Sequence, residues 1–276
     1  MAYFCYNFTV EPIQPGSEIL IAHLSTLGFE SFDQNDNGFS AYIKSSEPPA
    51  FNPEDYSFED FKYTFRIEKI ENTNWNQEWE KNFDPVKVGQ ELLIRAPFHE
   101  AGHGYAQEIV IMPKMSFGTG HHQTTRLMCK AILATDLKGK RVLDMGCGTG
   151  ILAILSSKLG ASQVTGIDTD EWSVENSLEN CMNNNCPQIT IIKGDAATLD
   201  QLAPFDMIFA NINKNVLIRD MPLYVRRMTK NASLFLSGFF TTDCDELRLK
   251  AESSGLVFLG SDHEAEWAML SFGKLS

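Results

Sequence analysis

The segment "LDMGCGTG" contains a glycine pattern typical of loops that bind nucleotides. Gly146, Gly148 and Gly150 stand at every second position between an apolar run and a helical pattern. Glycine allows a tight turn and lets the backbone approach a ligand closely. The dinucleotide-binding pattern GxGxxG would have its third glycine where Ile151 stands. The loop therefore predicts a nucleotide-like ligand and argues against NAD.

The acidic residue ahead of these glycines narrows the ligand class. Asp144 lies near the end of the apolar run, where its carboxylate would face and repel a bound pyrophosphate. A ligand with positive charge suits this position better. S-adenosylmethionine carries a sulfonium and an ammonium group and has no phosphate. We therefore predict S-adenosylmethionine as the cofactor, bound by Asp144, Gly146 and Gly148.

Two further aspartates follow the next two predicted strands. Asp168 ends "QVTGID", 18 residues after Gly150, and is expected to accept hydrogen bonds from both ribose hydroxyls. The competing interpretation is that Asp168 caps the helix that begins near Glu171. Asp195, in "KGDA", could bond the adenine amino group or serve only as a turn residue. The sequence does not decide between these two roles of Asp195.

Asn211 is the predicted residue of the reacting centre. It ends the fourth predicted strand, within "PFDMIFANI". Ligands of an open parallel sheet bind beyond the carboxyl ends of its strands, and an amide can both accept a hydrogen bond from an amine and donate one. We therefore predict that Asn211 contacts the cofactor and takes part in catalysis.

A polar loop ahead of the first parallel strand is predicted to form a lid. The turn Gly118–Gly120 precedes a helical pattern that starts near Gln123, with Thr124 and Thr125 at its beginning. A capped helix behind such a loop can fold over a ligand. The two histidines between turn and helix are expected to be solvated, because two adjacent histidines alone rarely bind a metal.

One segment matches a zinc-protease motif in sequence but lacks the helical context that the motif requires. "HEAGH" (99–103) matches HExxH, whose chemistry needs both histidines on one helix face. Pro97, Gly102 and Gly104 interrupt any such helix. We therefore expect no metal site here, and none is predicted elsewhere in the chain.

The elements that position these residues follow a βαβ pattern. Alternating strands and helices predict a parallel sheet covered on both faces. "LVFLGSDHEAEWAMLSF" predicts an antiparallel hairpin at the sheet edge, and 91–98 a separate strand. The parallel strands are expected at 141–145, 163–167, 188–193, 205–210 and 233–239, and the helices at 150–159, 170–183, 214–229 and 243–254.

The N-terminal part predicts a small α+β domain of roughly ferredoxin-like order. Strand patterns at 3–10 and 66–71 enclose a helix at 16–27, a hairpin around "DQNDNG" and a short helix at 54–65. We divide the chain into an N-terminal domain (1–72), an inter-domain segment (73–105) and a cofactor-binding domain (106–276). The segment around Trp75 and Trp79 is the expected joint.

Composition predicts a cytoplasmic globular protein. Hydrophobic residues make up 43% and charged residues 21% of the chain, as in ordinary globular proteins. The sequence contains no apolar run of 18 residues, so no membrane span is expected. The N-terminus lacks the pattern of a secretory signal. The six cysteines contain no CxxC pair, so reduced thiols are expected.

The acidic charge is concentrated in the N-terminal third. Residues 1–85 contain 15 acidic and 5 basic side chains. This excess argues against direct nucleic-acid binding by that part, because phosphate binding needs clustered Lys and Arg. It suits a basic protein partner. The competing interpretation is an acidic surface that only aids solubility.

Three motifs together resemble one methyltransferase family. "LDMGCGTG" with Asp168 resembles class I S-adenosylmethionine-dependent methyltransferases. "FGTGHHQTT", "GCGTGILAI" and "ANI" together resemble the bacterial ribosomal protein L11 methyltransferases. The resemblance is clearest over 112–220, and "NWNQEWEKNFDPVKVG" is similar to the family's inter-domain segment.

The resemblance carries expectations about fold, activity and site. It implies a Rossmann-like domain with a mostly parallel seven-stranded sheet and an antiparallel terminal hairpin, preceded by a small domain that recognises the substrate. It implies trimethylation of lysine side chains and of the N-terminal amine of ribosomal protein L11. We expect the protein to be a monomer. Matched motif positions imply that Thr125, Gly146, Asp168 and Asn211 bind the cofactor.

The chain departs from the family pattern in two places. His121 and Gln123 replace Thr and Pro of "GTGTHPTT", and "NKNVL" replaces "LAGPL" after "ANI".

The alternatives to this function are a methyltransferase of nucleic acid or glutamine, a non-catalytic cofactor-binding assembly module and an NAD-dependent reductase. The residues that follow Asn211 are not the Asn-Pro-Pro-Tyr common in nucleic-acid and glutamine methyltransferases, which argues against the first alternative. The lid motif argues against a non-catalytic module, which would not need a lid. Asp144 and Ile151 argue against an NAD-dependent reductase.

Overall fold

The chain forms two compact units. The computed structural model describes residues 2–45, 58, 60–70 and 83–275, and the division between the units falls after Asn82. Residues 83–105, which the sequence analysis assigned to the inter-domain segment, contribute strands to the second unit. The expected joint at Trp75 and Trp79 lies outside the described residues.

The first unit is a four-stranded antiparallel sheet with one described helix. Its strand order is β2-β3-β1-β4, so β1 lies between β3 and β4. This order follows the predicted α+β arrangement. The elements are β1 (Ala2–Glu11), α1 (Ile13–Thr26), β2 (Ser31–Asn35), β3 (Gly38–Ser45) and β4 (Lys62–Ile70).

The core of the first unit follows the alternation of β1. Phe4, Tyr6 and Phe8 are buried, because every second side chain of a strand points to the same face. Leu20 and Leu24 of α1 pack in the same core. The predicted strand at 3–10 and the helix at 16–27 are therefore confirmed.

One predicted helix of the first unit is wrong at its end. The pattern at 54–65 indicated a helix, but Lys62–Phe65 belong to β4, which pairs with β1. Phe65 lies opposite Phe8 in that pairing, so strand pairing and aromatic burial override the local helical spacing. The start of the predicted helix lies outside the described residues, apart from Phe58 and Asp60–Phe61.

The second unit contains a seven-stranded and a three-stranded sheet. Their orders are β10-β9-β8-β11-β12-β14-β13 and β5-β6-β7. The strands are β5 (Val86–Val88), β6 (Leu92–Arg95), β7 (Gln107–Val110), β8 (Arg141–Met145), β9 (Gln163–Asp168), β10 (Thr190–Lys193), β11 (Phe205–Asn211), β12 (Met228–Phe240), β13 (Val257–Glu264) and β14 (Trp267–Gly273). The helices are α2 (Gln123–Leu133), α3 (Ile151–Lys158), α4 (Glu171–Asn183), α5 (Lys214–Arg226) and α6 (Cys244–Ser253).

The large sheet is parallel from β10 to β12 and antiparallel in its last hairpin. β8 pairs in parallel with both β9 and β11, whereas β14 pairs antiparallel with β12 and β13. The predicted parallel sheet and its terminal hairpin are confirmed. Because the chain leaves β8 toward β9 and later returns to β11 on the other side, a crevice opens at the carboxyl ends of these strands.

Helices cover both faces of this sheet. Val142 of β8 is buried in a core with α2, α3 and α4, whereas its neighbour Leu143 is buried in a second core with α5 and α6. Consecutive strand residues point to opposite faces, so an apolar strand such as β8 must be covered twice. The crevice therefore lies at the sheet edge between two buried cores.

The motif "HEAGH" lies in a loop between β6 and β7. His99 and His103 are therefore not on one helix face, and Nδ1 of His99 instead accepts the backbone N–H of Ala96 at 3.1 Å. Among the described residues, no helix is both long and apolar enough to cross a membrane.

Candidate active site

A cavity of about 440 Å³ opens at the carboxyl ends of β8 to β11. The structure brings together five of the seven predicted site residues in its wall: Gly146, Gly148, Asp168, Asp195 and Asn211. Each follows or ends a different strand, except for the two glycines that share the loop after β8. The sheet topology thus gathers residues that are far apart in the chain.

The two loop glycines cannot carry side chains. Gly146 and Gly148 have φ angles of 72° and 54°, which lie in the left-handed region that favours glycine. A Cβ at Gly146 would lie 2.2 Å from Cγ2 of Ile212, and one at Gly148 would lie 2.2 Å from the carbonyl oxygen of Phe117. The loop is therefore a backbone cradle that a Cβ would fill.

Asp168 faces the cavity and also holds the glycine loop. Its Oδ2 accepts the backbone N–H of Gly148 at 2.9 Å, and its Oδ1 accepts that of Asp170 at 3.0 Å. The cap of α4 is Asp170, which accepts the N–H of Ser173 at 3.3 Å. The competing interpretation of Asp168 as the helix cap is therefore wrong. A carboxylate has about four acceptor sites, so hydroxyls can still bind there.

Asp195 has the turn role that the sequence analysis considered, and it also lies at the cavity wall. Its Oδ1 accepts the N–H of Ala197 at 2.9 Å and caps the short 3-10 helix Ala196–Gln201. The same residue lines the cavity. The turn fixes the carboxylate at the cavity wall, where its second oxygen is the group that a ligand can meet.

Asp144 does not line the cavity. It is 1% exposed, behind the glycine loop, and its Oδ2 accepts the N–H of Ala153 at 3.0 Å. Its Oδ1 is buried without a hydrogen-bond partner among the described residues. Burial raises the pKa of Asp144 to about 7. The side chain shares the sheet face of Val142 because the two positions are two apart, so it points under α3 and away from the ligand side.

Asn211 stands between two cavities. A second cavity of about 240 Å³ shares Asn211, Ile212, Asn213 and Phe117 with the first. The rest of its wall is formed by His122, Thr124, Gly238 and Trp267. The Oδ1 atom of Asn211 is buried and accepts no hydrogen bond within the described part of the chain. Such an atom is costly unless a ligand donates to it, so it points to a donor at this junction.

The loop after Asn211 is held from two sides. The N–H of Ile212 donates to the carbonyl of Ser237 at 3.1 Å, and a Cβ at Gly238 would lie 2.4 Å from the Ile212 carbonyl oxygen. Two residues further on, Nζ of Lys214 lies 2.9 Å from Oδ1 of Asp243 and 3.0 Å from Oε2 of Glu246. The end of β12 and the start of α6 therefore fix the Asn211 loop.

The predicted lid is joined to the glycine loop. The N–H of Thr149 donates to the carbonyl of Phe117 at 2.9 Å, and its hydroxyl donates to the carbonyl of Gly118 at 2.7 Å. His121, which was expected to be solvated, is exposed, and its Nε2 hydrogen-bonds the carbonyl of Asp84 at 2.9 Å. Short polar contacts thus bind both ends of the lid to the rest of the second unit.

His122, also expected to be solvated, is the cap of α2. Its Nδ1 accepts the N–H of Thr124 at 3.2 Å, and its ring lies 4.6 Å from the ring of Trp267 and 5.1 Å from that of Phe117. Burial lowers the pKa of His122, and the charge of Arg126 lowers it further. Burial thus favours the neutral ring of His122, whose acceptor nitrogen is Nδ1, and the residue lines the second cavity.

Thr125 lies apart from the wall of the main cavity. It is 1% exposed in the first turn of α2, and its Oγ1 is buried without a partner among the described residues. Its N–H donates to the carbonyl of His122 at 3.1 Å. Of the seven predicted residues, Thr125 and Asp144 are thus the two that the main cavity does not include.

Several wall residues were not predicted from the sequence. Phe117, Ile212, Trp267, Arg219 and Asp220 line one or both cavities. Phe117 lies in the predicted lid, and Ile212 directly follows Asn211, so both could have been found from neighbouring motifs. The other three come from β14 and α5, where only the tertiary packing brings them to the site.

The residues of the main cavity fit S-adenosylmethionine. Its volume is within the ordinary range for small-ligand sites, about 300–1,000 Å³. The wall contains three aspartates, Asp168, Asp195 and Asp220, and one arginine, Arg219, which is paired with Asp220. A pyrophosphate would meet uncompensated carboxylates there. An acidic wall with an unpartnered amide oxygen suits a ligand with ammonium and ribose hydroxyl donors.

Comparison with known proteins identifies the family. Residues 30–274 match the family described as Ribosomal protein L11 methyltransferase (PrmA). Proteins named ribosomal protein L11 methyltransferase from Bacteroides fragilis and Porphyromonas gingivalis are 40% and 43% identical, over 99% of this chain and 99% and 98% of their own lengths. The crystal structure of a ribosomal protein L11 methylase from Lactobacillus delbrueckii subsp. bulgaricus has a TM-score of 0.65 at 24% identity, covering 70% of this chain and all of that one, and shows the shared fold. The chain belongs to the ribosomal protein L11 methyltransferase family and is an S-adenosylmethionine-dependent methyltransferase.

Proposed function

We propose that this protein methylates amino groups of ribosomal protein L11, both on lysine side chains and at the N-terminus. The observation that carries the proposal is the position of Asn211, whose unpartnered Oδ1 lies where the two cavities meet. A methyl donor in the larger cavity and an amine in the smaller one would meet at this residue. The named relatives support ribosomal protein L11 as the protein that presents the amine.

The larger cavity has a division of labour for S-adenosylmethionine. We assign the ribose to Asp168, the adenine to the wall at Asp195, and the amino-acid end to the backbone cradle of Gly146 and Gly148 and to Asn211. Thr125 and Asp144 support this site from behind, through the start of α2 and of α3. When bound, S-adenosylmethionine supplies a methyl group already activated by its sulfonium.

Asn211 is proposed to orient the attacking amine. Its Oδ1 accepts one N–H of a neutral amine, which aims the nitrogen lone pair along the line between the cavities. Alignment of two reactants in one site can supply about 7–11 kcal/mol toward the barrier. The loop contacts to Ser237 and Gly238 keep this alignment rigid.

The proton of the incoming ammonium passes to water in this proposal. His122 cannot receive it on Nδ1, because that atom already accepts the N–H of Thr124. The aromatic wall of the second cavity would remove water from a bound amine and favour its neutral form, since desolvation lowers the pKa of an amine from about 10.4. The rings of Phe117, His122 and Trp267 offer faces and edges that suit a methylated ammonium as well as an amine, which permits successive transfers to one nitrogen.

The first unit is proposed to recognise the substrate. Its acidic excess complements a basic ribosomal protein, because opposite charges steer association. We propose that the protein acts in the cytoplasm as a monomer and that it does not bind nucleic acid directly. Each unit has its own buried core, so recognition and chemistry can reside on separate parts of the chain.

Mass spectrometry of a reconstituted reaction tests this function. Purified protein, S-adenosylmethionine and recombinant ribosomal protein L11 are incubated together. The masses of the intact substrate and of its proteolytic peptides are then measured. Mass increments of whole methyl groups on lysines and on the N-terminal residue are expected. Methylation of ribosomal RNA or of a glutamine peptide, with L11 unchanged, would contradict the proposal.

A further inference from the structure

Two consecutive residues of α5 form an ion pair at the wall of the main cavity. Nε of Arg219 lies 2.6 Å from Oδ1 of Asp220, and its Nη2 lies 2.8 Å from Oδ2. Consecutive residues of a helix do not face each other. The arginine side chain must therefore bend along the helix surface to reach its neighbour.

The ion pair fixes the orientation of the planar guanidinium group of Arg219. Both carboxylate oxygens are engaged, and this two-point contact sets the orientation of the guanidinium plane. The side chain of Asp220 is 7% exposed, whereas that of Arg219 is 67% exposed, and both residues line the cavity. The buried carboxylate thus anchors an accessible planar group at the cavity mouth.

The guanidinium group of Arg219 lies at the Asp195 end of the cavity. α5 packs against the 3-10 helix that Asp195 caps. The pKa of Arg219 is raised mainly by its hydrogen bonds to Asp220, with smaller contributions from Tyr224 and from the charge of Asp195. Arg219 is also six residues beyond Asn213, which corresponds to about 9 Å along a helix. These positions place Arg219 toward the Asp195 end of the cavity wall.

We propose that Arg219, held flat by Asp220, stacks on the adenine ring of S-adenosylmethionine and closes that end of the cavity. A guanidinium plane is well suited to stack on a base or an aromatic face. The adenine is the flat and uncharged part of the cofactor. Because the charge of Arg219 is already compensated by Asp220, the residue is better suited to stacking than to binding the cofactor carboxylate. The proposal depends on the cofactor and not on which protein is methylated.

Two ligands distinguish stacking from carboxylate binding. S-adenosylhomocysteine contains adenine, ribose and the amino acid, whereas 5′-methylthioadenosine contains only adenine and ribose with a thioether. We expect Arg219→Ala in the full-length chain to weaken both ligands by the same factor, about 5- to 10-fold, as measured by calorimetry. Arg219→Lys should lose a similar factor, because an ammonium has no plane to stack.

The matched control is Arg226→Ala, which removes an exposed arginine of the same helix that does not line the cavity. It should leave both affinities unchanged. A loss confined to S-adenosylhomocysteine would show that Arg219 binds the amino-acid carboxylate, and unchanged affinities would reduce the pair to a structural contact. Either result overturns the proposal. Arg219→Gln, which keeps a planar polar end, provides a second variant if the alanine variant does not fold.

Discussion

The Oδ2 atom of Asp168 accepts the backbone N–H of Gly148 at 2.9 Å. The acid that ends β9 and the loop that follows β8 are therefore one structural unit. Gly148 is also packed against the carbonyl of Phe117, so the same contact extends to the lid. A change at Asp168 is thus expected to affect the loop as well as any group bound to its carboxylate.

Asp168→Ala should weaken binding of S-adenosylmethionine by about 2–4 kcal/mol, because a charged acceptor is lost and the loop N–H is released. Calorimetry measures this affinity. The matched control is Asp170→Ala, which removes only the cap of α4. It should lower the free energy of unfolding by about 0.5–2 kcal/mol with little change in affinity. Equal effects of the two variants on binding would remove Asp168 from the cofactor site.

The buried carboxyl of Asp144 should make stability depend on pH. Its pKa is raised to about 7 by burial, so between about pH 4 and pH 7 the folded chain holds a proton that the unfolded chain has lost. The contribution of Asp144 to stability therefore falls as the pH rises through this window and stays low above it. Thermal melts of Asp144→Asn should show a gain over the wild type that is larger at pH 8 than at pH 4, on the order of a few kcal/mol. A constant gain at all pH values would contradict the raised pKa.

Asn211→Ala should slow the methyl-transfer step more than it weakens cofactor binding. The amide orients the reacting groups, and orientation matters most in the transition state. We expect a single-turnover rate lower by about 10- to 100-fold, measured by rapid quench with S-adenosylmethionine at saturation. A loss of cofactor affinity with an unchanged single-turnover rate would make Asn211 a binding residue only.

Lys214 should influence the rate through the Asn211 loop. A lysine in the first turn of α5 is unfavourable for the helix dipole, and its contacts with Asp243 and Glu246 offset this. Lys214→Ala should lower kcat several-fold at unchanged cofactor affinity, less than the roughly hundredfold loss that follows a 1 Å misplacement. Lys214→Arg should restore most of the rate, because it can reach the same carboxylates. Equal rates of the alanine variant and the wild type would remove this positioning role.

Most of the sheet and half of the site follow from local sequence patterns. Glycine spacing and strand alternation correctly predict the loop at Gly146 and the strand ends at Asp168 and Asn211, because these depend on backbone geometry that neighbouring residues determine. The same alternation places Asp144 on the face of Val142, under α3, which the charge argument overlooked. Arg219 and Trp267 could not be predicted, since helix and hairpin packing bring them to the cavity from distant parts of the chain.

The last prediction separates recognition from chemistry. The acidic excess lies in residues 1–85, whereas both cavities and all predicted cofactor residues lie in the unit that begins at Phe83. A fragment starting at Phe83 should therefore bind S-adenosylmethionine with nearly the affinity of the full chain, because its two cores and its lid are complete. It should lose most activity on ribosomal protein L11, because the KM for that protein rises while the cofactor affinity does not change.

In the full chain, raising the salt concentration should increase the KM for ribosomal protein L11. The Debye length, about 10 Å at 0.1 M, becomes shorter as salt is added, so the acidic surface is screened. Calorimetry and initial rates on the two forms check both parts, and a fragment that methylates the ribosomal protein as fast as the whole chain would refute the division of labour.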